Sequence, residues 1–219
     1  MSRSIFITAT DTNAGKTWVT SSWVRTCLAQ GLDIQALKPI ASGLNATGIN
    51  EDVAELLAAQ PVKGEKDINF ITYDLPLAPA LAAQKQNTAI QQGKLSDWLV
   101  AQTAKHDITL IEGVGGLMVP LSVDNQTPWL VSDWLQSMAD VEVMLVVPLR
   151  LGCMNQALLS CQYLQSIGKP PQWLVFNDLD NTGSFSETQA LLLPIFASML
   201  QQLPKFIHLK CHGDMPATL

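Results

Sequence analysis

The residues best suited to chemistry lie together near the N-terminus, between Thr8 and Thr17, in the sequence T-A-T-D-T-N-A-G-K-T. Gly15-Lys16-Thr17 match the end of the phosphate-binding pattern G-x-x-x-x-G-K-[ST]. In that pattern backbone N–H groups surround the phosphates, the lysine contacts the β- and γ-phosphates, and the hydroxyl binds Mg²⁺. Thr10 stands where the pattern has its first glycine. The stretch predicts a nucleoside triphosphate site, and the alternative is a helix that begins with this tripeptide by chance.

The segments on either side of this stretch fit a phosphate-binding loop. A short apolar run, Ile5-Phe6-Ile7, precedes it, and a helix-like segment, Trp18 to Gln30, follows it. When a strand, a tight loop and a helix follow in this order, the N–H groups of the loop and of the helix N-terminus point into one concavity. We therefore predict nucleotide contacts from the end of the loop, which comprises Asn13, Ala14, Gly15, Lys16 and Thr17.

Two charged residues follow predicted strands. Lys38 comes directly after the predicted strand Asp33–Leu37, and Pro39 ends the strand, so that Lys38 is held at the rim of the sheet. Glu112 ends the apolar run that begins at Ile108, and a glycine-rich turn follows it. A carboxylate at this place in a phosphate-loop protein lies where Mg²⁺ needs oxygen ligands. The alternatives are a solvated lysine and an exposed glutamate in a turn.

Three other positions have two possible roles each. Asp52 precedes a predicted helix, Val53 to Gln60, and is either a helix-start carboxylate or a Mg²⁺ ligand. Asn177 follows a short apolar strand and is either a turn residue or an amide that pairs with an adenine edge. The segment Leu151 to Asn155 opens a helix whose N–H groups could bind a carboxylate. Cys153, within it, is better explained as a small buried residue than as a nucleophile.

Composition limits the class of protein. The 219 residues are 47% hydrophobic, without repeats or linker-like tracts, which predicts one domain over residues 1–219. The net charge of −6 and the pI of about 4.9 argue against nucleic acid or an anionic membrane surface as partner. The four cysteines lack paired spacing and the N-terminal apolar run is short, so we expect a cytoplasmic protein.

Helical patterns alternate with short apolar runs along the whole chain. This alternation predicts an α/β fold with a mostly parallel sheet and helices on both faces, of the P-loop NTPase type. Three local predictions are a strand over Asp67 to Tyr73, a helix over Pro76 to Gln86 and a helix over Thr127 to Met138.

Taken in order, these pieces resemble the dethiobiotin synthetase family over nearly the whole chain. The resemblance rests on Thr10-Asp11-Thr12 with Gly15-Lys16-Thr17, Lys38-Pro39-Ile40 with Ser42-Gly43, Asp52, Glu112-Gly113 with Gly115-Gly116, Leu151-Gly152-Cys153 with Asn155, and Asn177-Asp178. It implies an ATP- and Mg²⁺-dependent cyclo-ligase that forms C–N bonds. The implied reaction carboxylates 7,8-diaminononanoate with CO₂ and closes the ring to give dethiobiotin, ADP and phosphate.

The resemblance also implies a role for each matching residue. Lys16, Lys38 and Thr12 are the implied catalytic residues, and Thr17, Asp52 and Glu112 the implied Mg²⁺ ligands. Asn177 would contact adenine. The implied substrate-binding residues are Thr12, Lys38, Ser42, Gly116, Gly152, Cys153, Met154 and Asn155. The last four would bind the substrate carboxylate from the second subunit of a homodimer.

Three positions depart from the family pattern. Ala9 stands where the family usually has glycine, Asn13 stands where it often has glutamate, and its Ile-Pro pair after the last strand is missing around His208-Leu209. Two other functions remain open. One is an ATP-driven switch of the partitioning and iron-protein type, although Asp11 occupies the place of that group's loop lysine. The other is a relative that binds nucleotide without catalysis.

Overall fold

The computed structural model describes residues 2–61, 63–124, 127–211 and 213–218. Its centre is a six-stranded parallel sheet with the strand order β10-β9-β8-β1-β5-β2. The strands of this sheet are β1 (Arg3–Ala9), β2 (Ile34–Leu37), β5 (Ile108–Glu112), β8 (Val141–Pro148), β9 (Trp173–Asp178) and β10 (Lys205–Lys210). The two smaller sheets pair β3 (Ile40–Ser42) with β4 (Ile71–Tyr73), and β6 (Pro120–Asp124) with β7 (Thr127–Leu130).

Helices cover both faces of the central sheet, as predicted. All six residues of β9 are buried, and successive strand residues point to opposite faces, so neither face of this strand is open to solvent. The helices are α1 (Lys16–Ala29), α2 (Glu51–Ala59), α3 (Glu65–Ile68), α4 (Pro79–Gln86), α5 (Gln92–Thr103), α6 (Val131–Ser137), α7 (Cys153–Ser166) and α8 (Phe185–Met199). Among the described residues, none of the helices is both long and apolar enough to cross a bilayer.

Three local predictions were wrong in part, and side-chain caps explain two of them. Residues 67 and 68 end the one-turn helix α3, because the Asp67 carboxylate accepts a hydrogen bond from the Gly64 N–H at 2.9 Å. The segment Thr127–Leu130 is strand β7, and α6 begins only at Val131, where the Asp133 carboxylate accepts from the Leu130 N–H at 2.8 Å.

The third correction concerns the start of α4. The helix begins at Pro79 rather than Pro76. Proline suits the first position of a helix, whereas the residue before a proline avoids the helical region. Ala78, which precedes Pro79, has a non-helical ψ of 139°, and Pro76 and Leu77 lie in a bend before the helix. This segment borders the candidate site.

The parallel arrangement determines where that site lies. β1, β2, β5 and β9 run in the same direction, so Ala9, Leu37, Glu112 and Asp178 end at one edge of the sheet. Ligands bind at this edge in open α/β sheets. Most of the chemistry-bearing residues predicted from the sequence lie at these four strand ends or a few residues after them. Asp52, in α2, and the start of α7 are the exceptions.

Candidate active site

The phosphate-binding loop occupies the turn between β1 and α1. Asn13 and Gly15 both have left-handed backbone conformations, with φ of 58° and 86°. Asparagine tolerates this conformation better than most residues, and glycine adopts it without strain. The Val19 N–H donates to the Gly15 carbonyl at 3.0 Å, so α1 starts directly after the loop. The backbone N–H groups of the first helical turn, which includes Lys16 and Thr17, are thereby available to an anion.

Asn177, at the end of β9, contacts the buried side of this loop. Its Nδ2 donates to the Ala14 carbonyl at 3.0 Å, and the residue is only 1% exposed. A Cβ atom on Gly15 would lie 2.0 Å from this Nδ2, so that no other residue fits at Gly15 without displacing Asn177. The Asn177 Oδ1 is buried and has no hydrogen-bond partner among the described residues. An unpaired buried acceptor at this place suits a ligand donor.

Gly15→Ala is expected to lower the free energy of unfolding by more than backbone strain alone accounts for. A non-glycine residue in the left-handed region costs about 1–2 kcal/mol, and the contact with Asn177 adds to it. Gly31→Ala is the matched control, because Gly31 has a φ of 75° and a Cβ added there would have nothing within 4 Å. Urea unfolding of both variants measures the difference. Equal losses of unfolding free energy would show that Asn177 does not constrain the loop.

A cluster of charges lies beside the loop, with Lys38 and Glu112 buried and the Asp52 side chain 47% exposed. Lys38 Nζ is 2.6 Å from Glu112 Oε1 and 3.0 Å from Asp52 Oδ2, and it also donates to the Gly113 carbonyl at 3.3 Å. The Lys38 side chain is 3% exposed and that of Glu112 is 0% exposed. Asp52 does not cap α2, because the Asn50 side chain accepts from the Val53 N–H at 3.0 Å instead. The Asp52 carboxylate thus belongs to the charge cluster.

The Thr17 hydroxyl lies between the two carboxylates of this cluster. Its oxygen is 2.8 Å from Asp52 Oδ1 and 2.7 Å from Glu112 Oε1. A hydroxyl has one proton and can donate to only one of them at a time. The other oxygen of Glu112, Oε2, is buried and has no partner among the described residues. Three converging oxygen ligands with an unsatisfied carboxylate are the chemistry that Mg²⁺ prefers, so the residues fit a magnesium ion.

The charges in the cluster shift one another's pKa values. Burial by itself lowers the pKa of Lys38, but the negative charges of Glu112 and Asp52 outweigh it and the pKa is raised. Lys38 in turn outweighs the burial of Asp52 and lowers the pKa of that carboxyl. Neighbouring carboxylates compensate the positive charge of Lys16 less than that of Lys38. Burial and the nearby Lys38 charge lower its pKa to about 8, against the opposing effect of Glu112, Asp52 and Asp11.

A cavity of about 900 Å³ opens in front of the loop. It is large enough for a small-molecule ligand. Eight of the predicted site residues contribute to its wall. Seven of them come from the loop and the charge cluster, and the eighth, Ser42, has a buried hydroxyl without a partner among the described residues. These eight are Thr12, Asn13, Gly15, Lys16, Thr17, Lys38, Ser42 and Asp52.

Other predicted residues lie outside the cavity wall. Ala14, Glu112 and Asn177 lie beneath it and act through their contacts with the loop or the cluster. Gly116 packs behind the loop, where a Cβ would be 3.4 Å from the Ala9 carbonyl.

The four residues at the start of α7 are not part of this chain's cavity wall. They are Gly152, Cys153, Met154 and Asn155. Cys153 is buried, and its N–H donates to the Arg150 carbonyl at 3.0 Å. Its side chain and amide are therefore both used inside the chain. The exposed neighbours Met154 and Asn155 lie in the first turn of the helix, where N–H groups have no acceptor within the helix.

Sequence reasoning missed several residues that line the cavity. The sequence pattern places Pro76–Pro79 in a helix and gives Trp18 no role beyond membership of one, yet all of them border the cavity. Leu179 and Cys211 also line it, and both follow strand ends, of β9 and β10. The strand-end position was the available signal for these two residues.

The three departures from the family pattern have structural explanations. Ala9 is 1% exposed and its methyl group joins the hydrophobic core. Asn13 occupies a left-handed position that asparagine tolerates. His208 stacks on Phe185 with ring centroids 4.5 Å apart, and its Nε2 is 3.3 Å from the Asp178 carboxylate. It thereby joins β10 to the segment that follows Asn177.

Comparison with solved structures identifies the type of fold. A ParA family ATPase from Chlorobium tepidum superposes with a TM-score of 0.54 at 14% identity, covering 96% of this chain and 85% of that one. The septum site-determining protein MinD from Pyrococcus horikoshii, solved with Mg-ADP, gives a TM-score of 0.50 at 17% identity, covering 88% and 78%. At these identities the comparison shows a shared P-loop NTPase fold and nothing more specific.

Sequence relatives identify the family. Residues 3–218 match the family described as AAA domain. The ATP-dependent dethiobiotin synthetase BioD of Alteromonas mediterranea is 34% identical over 209 residues, which cover 90% of this chain and 88% of the relative. The protein of the same name from Cellvibrio japonicus is 32% identical over 219 residues, covering 98% and 89%. These matches span most of both chains, and the chain therefore belongs to the ATP-dependent dethiobiotin synthetase family.

Proposed function

We propose that this protein is an active dethiobiotin synthetase that uses ATP, Mg²⁺ and CO₂ to convert 7,8-diaminononanoate into dethiobiotin, ADP and phosphate. The observation that carries the proposal is the convergence of two lysines and three oxygen ligands at one phosphate-binding loop. Lys16 and Lys38 supply the positive charge, and Thr17, Asp52 and Glu112 supply the oxygen ligands. A protein that only bound nucleotide would not need the second buried lysine.

The proposed reaction has three steps. One amine nitrogen attacks the carbon of CO₂ and loses a proton, which gives a carbamate. A carbamate oxygen then attacks the γ-phosphorus of ATP, and the bond to the β-phosphate oxygen breaks to release ADP. The second amine attacks the carbamoyl carbon and loses a proton, the C–O bond to the phosphoryl group breaks, and phosphate leaves as the ring closes. Both later steps depend on alignment and on compensation of negative charge.

The residues of this chain divide these tasks. The loop amides and Lys16 hold the β- and γ-phosphates. Lys38 lies at the cavity wall with its ammonium held by Glu112 and Asp52, and it compensates the charge of the transferring phosphoryl group and of the carbamate. Thr12 and Ser42 line the same wall, where their hydroxyls accept from the amine N–H groups of the diamine and donate to the carbamate oxygens. Their positions orient the attacking oxygen.

Thr17, Asp52 and Glu112 would hold the magnesium ion. Among the described residues, no group of three or more His, Cys, Asp or Glu side chains is arranged to hold a metal ion, so phosphate oxygens and water would complete the ligand set. Mg²⁺ supplies compensation of phosphate charge when it is bound.

The remaining ligand contacts involve the base and a second subunit. The buried Oδ1 of Asn177 accepts from the exocyclic amine of adenine. The start of α7, from Gly152 to Asn155, binds the diaminononanoate carboxylate of the partner subunit in a homodimer. Leu151 is fully exposed and Met154 is 39% exposed, so this segment is available to a second copy. The four free cysteines agree with a cytoplasmic enzyme.

The competing function is an ATP-driven switch on the same fold. Asp11 stands at the loop position where those switches carry a lysine, and its carboxylate is 3.5 Å from the Arg150 guanidinium. An acidic residue here cannot supply the positive charge that the switch lysine brings to the phosphates.

Release of ADP with and without the substrates distinguishes the two functions. The synthetase is expected to release ADP only when 7,8-diaminononanoate and bicarbonate are both present, with dethiobiotin formed in equal amount. The expected result follows because the carbamate is the phosphoryl acceptor. Release of ADP at the full rate without the diamine would favour the switch and overturn the proposal.

The apparent second-order rate constant for ATP, kcat/KM, is expected to fall as the pH rises through about 8. Lys16 has a pKa of about 8 in the free enzyme, and its charged form, present below that pH, is the one that binds phosphate. Bound ATP stabilises the charged form, so kcat should decline only at higher pH. Initial rates at several ATP concentrations, over a pH range of roughly 6.5 to 9.5, measure both profiles. A kcat/KM that stays level across the range would contradict the role of Lys16.

A further inference from the structure

Trp18 is the aromatic residue among the described residues that line the cavity. It follows Thr17 directly, in the first turn of α1, and it is partly buried. An indole at this place lies within reach of a nucleotide whose phosphates rest on the preceding residues.

The neighbours of Trp18 form a wall at one end of the cavity. One turn further along the same face of α1, the Ser22 hydroxyl accepts from the Met215 N–H at 2.7 Å, so the C-terminal segment runs past this face. Cys211, at the start of that segment, lines the cavity together with Trp18. Leu179 lies on the same side, since its Cδ1 would be 3.8 Å from a Cβ on Gly15. Trp18, Leu179 and Cys211 thus form an apolar wall next to the phosphate loop.

The order of strands in the sheet separates this wall from the reacting end. Leu179 and Cys211 follow β9 and β10, which lie on one side of β1, whereas Lys38 and Val114 follow β2 and β5, which lie on the other. The phosphate loop follows β1, between the two sides. A nucleotide with its γ-phosphate near Lys38 therefore extends its base toward the apolar wall.

The indole of Trp18 is held by a cation. The Arg25 guanidinium carbon lies 5.4 Å from the ring centroid, and Arg25 is two turns further along the helix, nearly on the same face. A ring fixed by such a contact loses little further freedom when a ligand packs against it.

We propose that Trp18 is the platform on which the nucleobase of ATP stacks. The inference rests on the proposed placement of the triphosphate on the phosphate loop. Every base offers a flat π-face, so stacking adds affinity for base-bearing nucleotides over bare polyphosphate. Asn177 would read the edge of the base while Trp18 supports its face.

Binding of ATP and of inorganic tripolyphosphate to the full-length protein tests the inference. Stacking of one base on an aromatic side chain predicts that Trp18→Ala weakens ATP binding by about tenfold. Affinity for tripolyphosphate, measured by calorimetry with Mg²⁺, should stay within about twofold, since that ligand has no base. Trp18→Phe retains a ring and should recover most of the ATP affinity. ATP should also quench a part of the tryptophan fluorescence of the wild-type protein that both variants lack.

Controls separate this inference from the function on which it rests. Trp98→Leu removes another partly buried indole, one that packs on Phe70 with centroids 5.9 Å apart and lies outside the cavity, and it should leave ATP binding unchanged. Lys16→Ala should weaken both ligands. If Trp18→Ala binds ATP as tightly as the wild type, or loses affinity for ATP and tripolyphosphate equally, the nucleobase does not stack on Trp18. If Lys16→Ala binds both ligands normally, the placement of the phosphates is wrong as well.

Discussion

Lys38→Met is expected to lower the rate of dethiobiotin formation by about 10²–10³, the usual effect of removing one preorganised contact to a developing charge. It is also expected to destabilise the fold by about 3–5 kcal/mol, because it leaves the fully buried Glu112 carboxylate without its cation. The steady-state rate and urea unfolding measure the two effects separately. ATP affinity should change much less than the rate, since Lys16 and the loop amides remain.

A double variant separates the catalytic effect from the effect on stability. Lys38→Met with Glu112→Gln removes both charges of the buried pair, and it should recover part of the lost stability while remaining inactive. Lys63→Met is the matched control lysine, because Lys63 is partly buried, lies 2.7 Å from His106 Nε2 and does not line the cavity. Its rate should equal that of the wild type. A Lys38→Met variant with wild-type kcat would show that Lys38 has no part in the chemistry.

Lys16→Ala is expected to lower kcat/KM for ATP by about 10³, because the lysine compensates the β- and γ-phosphates both in the ground state and in the transition state. The loss should appear in the ATP affinity as well as in kcat, which distinguishes it from the Lys38 variant. The fold should be retained or slightly stabilised. Burial and the nearby Lys38 charge make the Lys16 ammonium unfavourable in the folded state, as its lowered pKa of about 8 indicates.

Calorimetric titration with ATP and initial rates at saturating diamine measure both parts of this prediction. Lys63→Met again serves as the control, since it removes one lysine elsewhere on the chain. A Lys16→Ala variant that keeps its ATP affinity, with only kcat reduced, would place Lys16 away from the bound triphosphate.

Local sequence signals were sufficient for the phosphate loop and for the strand-end charges. Gly15, Lys16 and Thr17 are consecutive, so their match to the phosphate-loop pattern can be read directly from the sequence. The apolar run before Glu112 indicated a buried strand. Because parallel strands end at one edge, residues that follow different strands meet there. The order of these residues along the chain, together with the α/β alternation, was enough to predict the fold that the structure has.

The contacts of Asp52 could not be predicted without the tertiary structure. From the sequence, a carboxylate before a helix is as good a cap as a ligand. The structure assigns the cap to Asn50, and the Asp52 carboxylate contacts Lys38 and also Thr17, which is 35 positions away along the chain. Contacts of this kind leave no local pattern.

The apolar wall was missed for a similar reason. Trp18, Leu179 and Cys211 are far apart in sequence, and an apolar side chain in a helix or after a strand usually belongs to the core. The β6–β7 hairpin was missed because Thr127–Leu130 continues into α6 without a turn between them. The side-chain cap from Asp133, rather than any break in the apolar pattern, marks where the helix begins.

The fate of oxygen-18 from labelled bicarbonate tests most directly whether the site directs the γ-phosphoryl group of ATP onto a carbamate oxygen. In the proposed steps the C–O bond breaks when the ring closes, so the released phosphate should carry one oxygen-18 atom from the labelled CO₂. Mass spectrometry of the phosphate, corrected for exchange of label between bicarbonate and water without enzyme, measures this transfer. Released phosphate without oxygen-18 from the bicarbonate would contradict a carbamate as the phosphoryl acceptor.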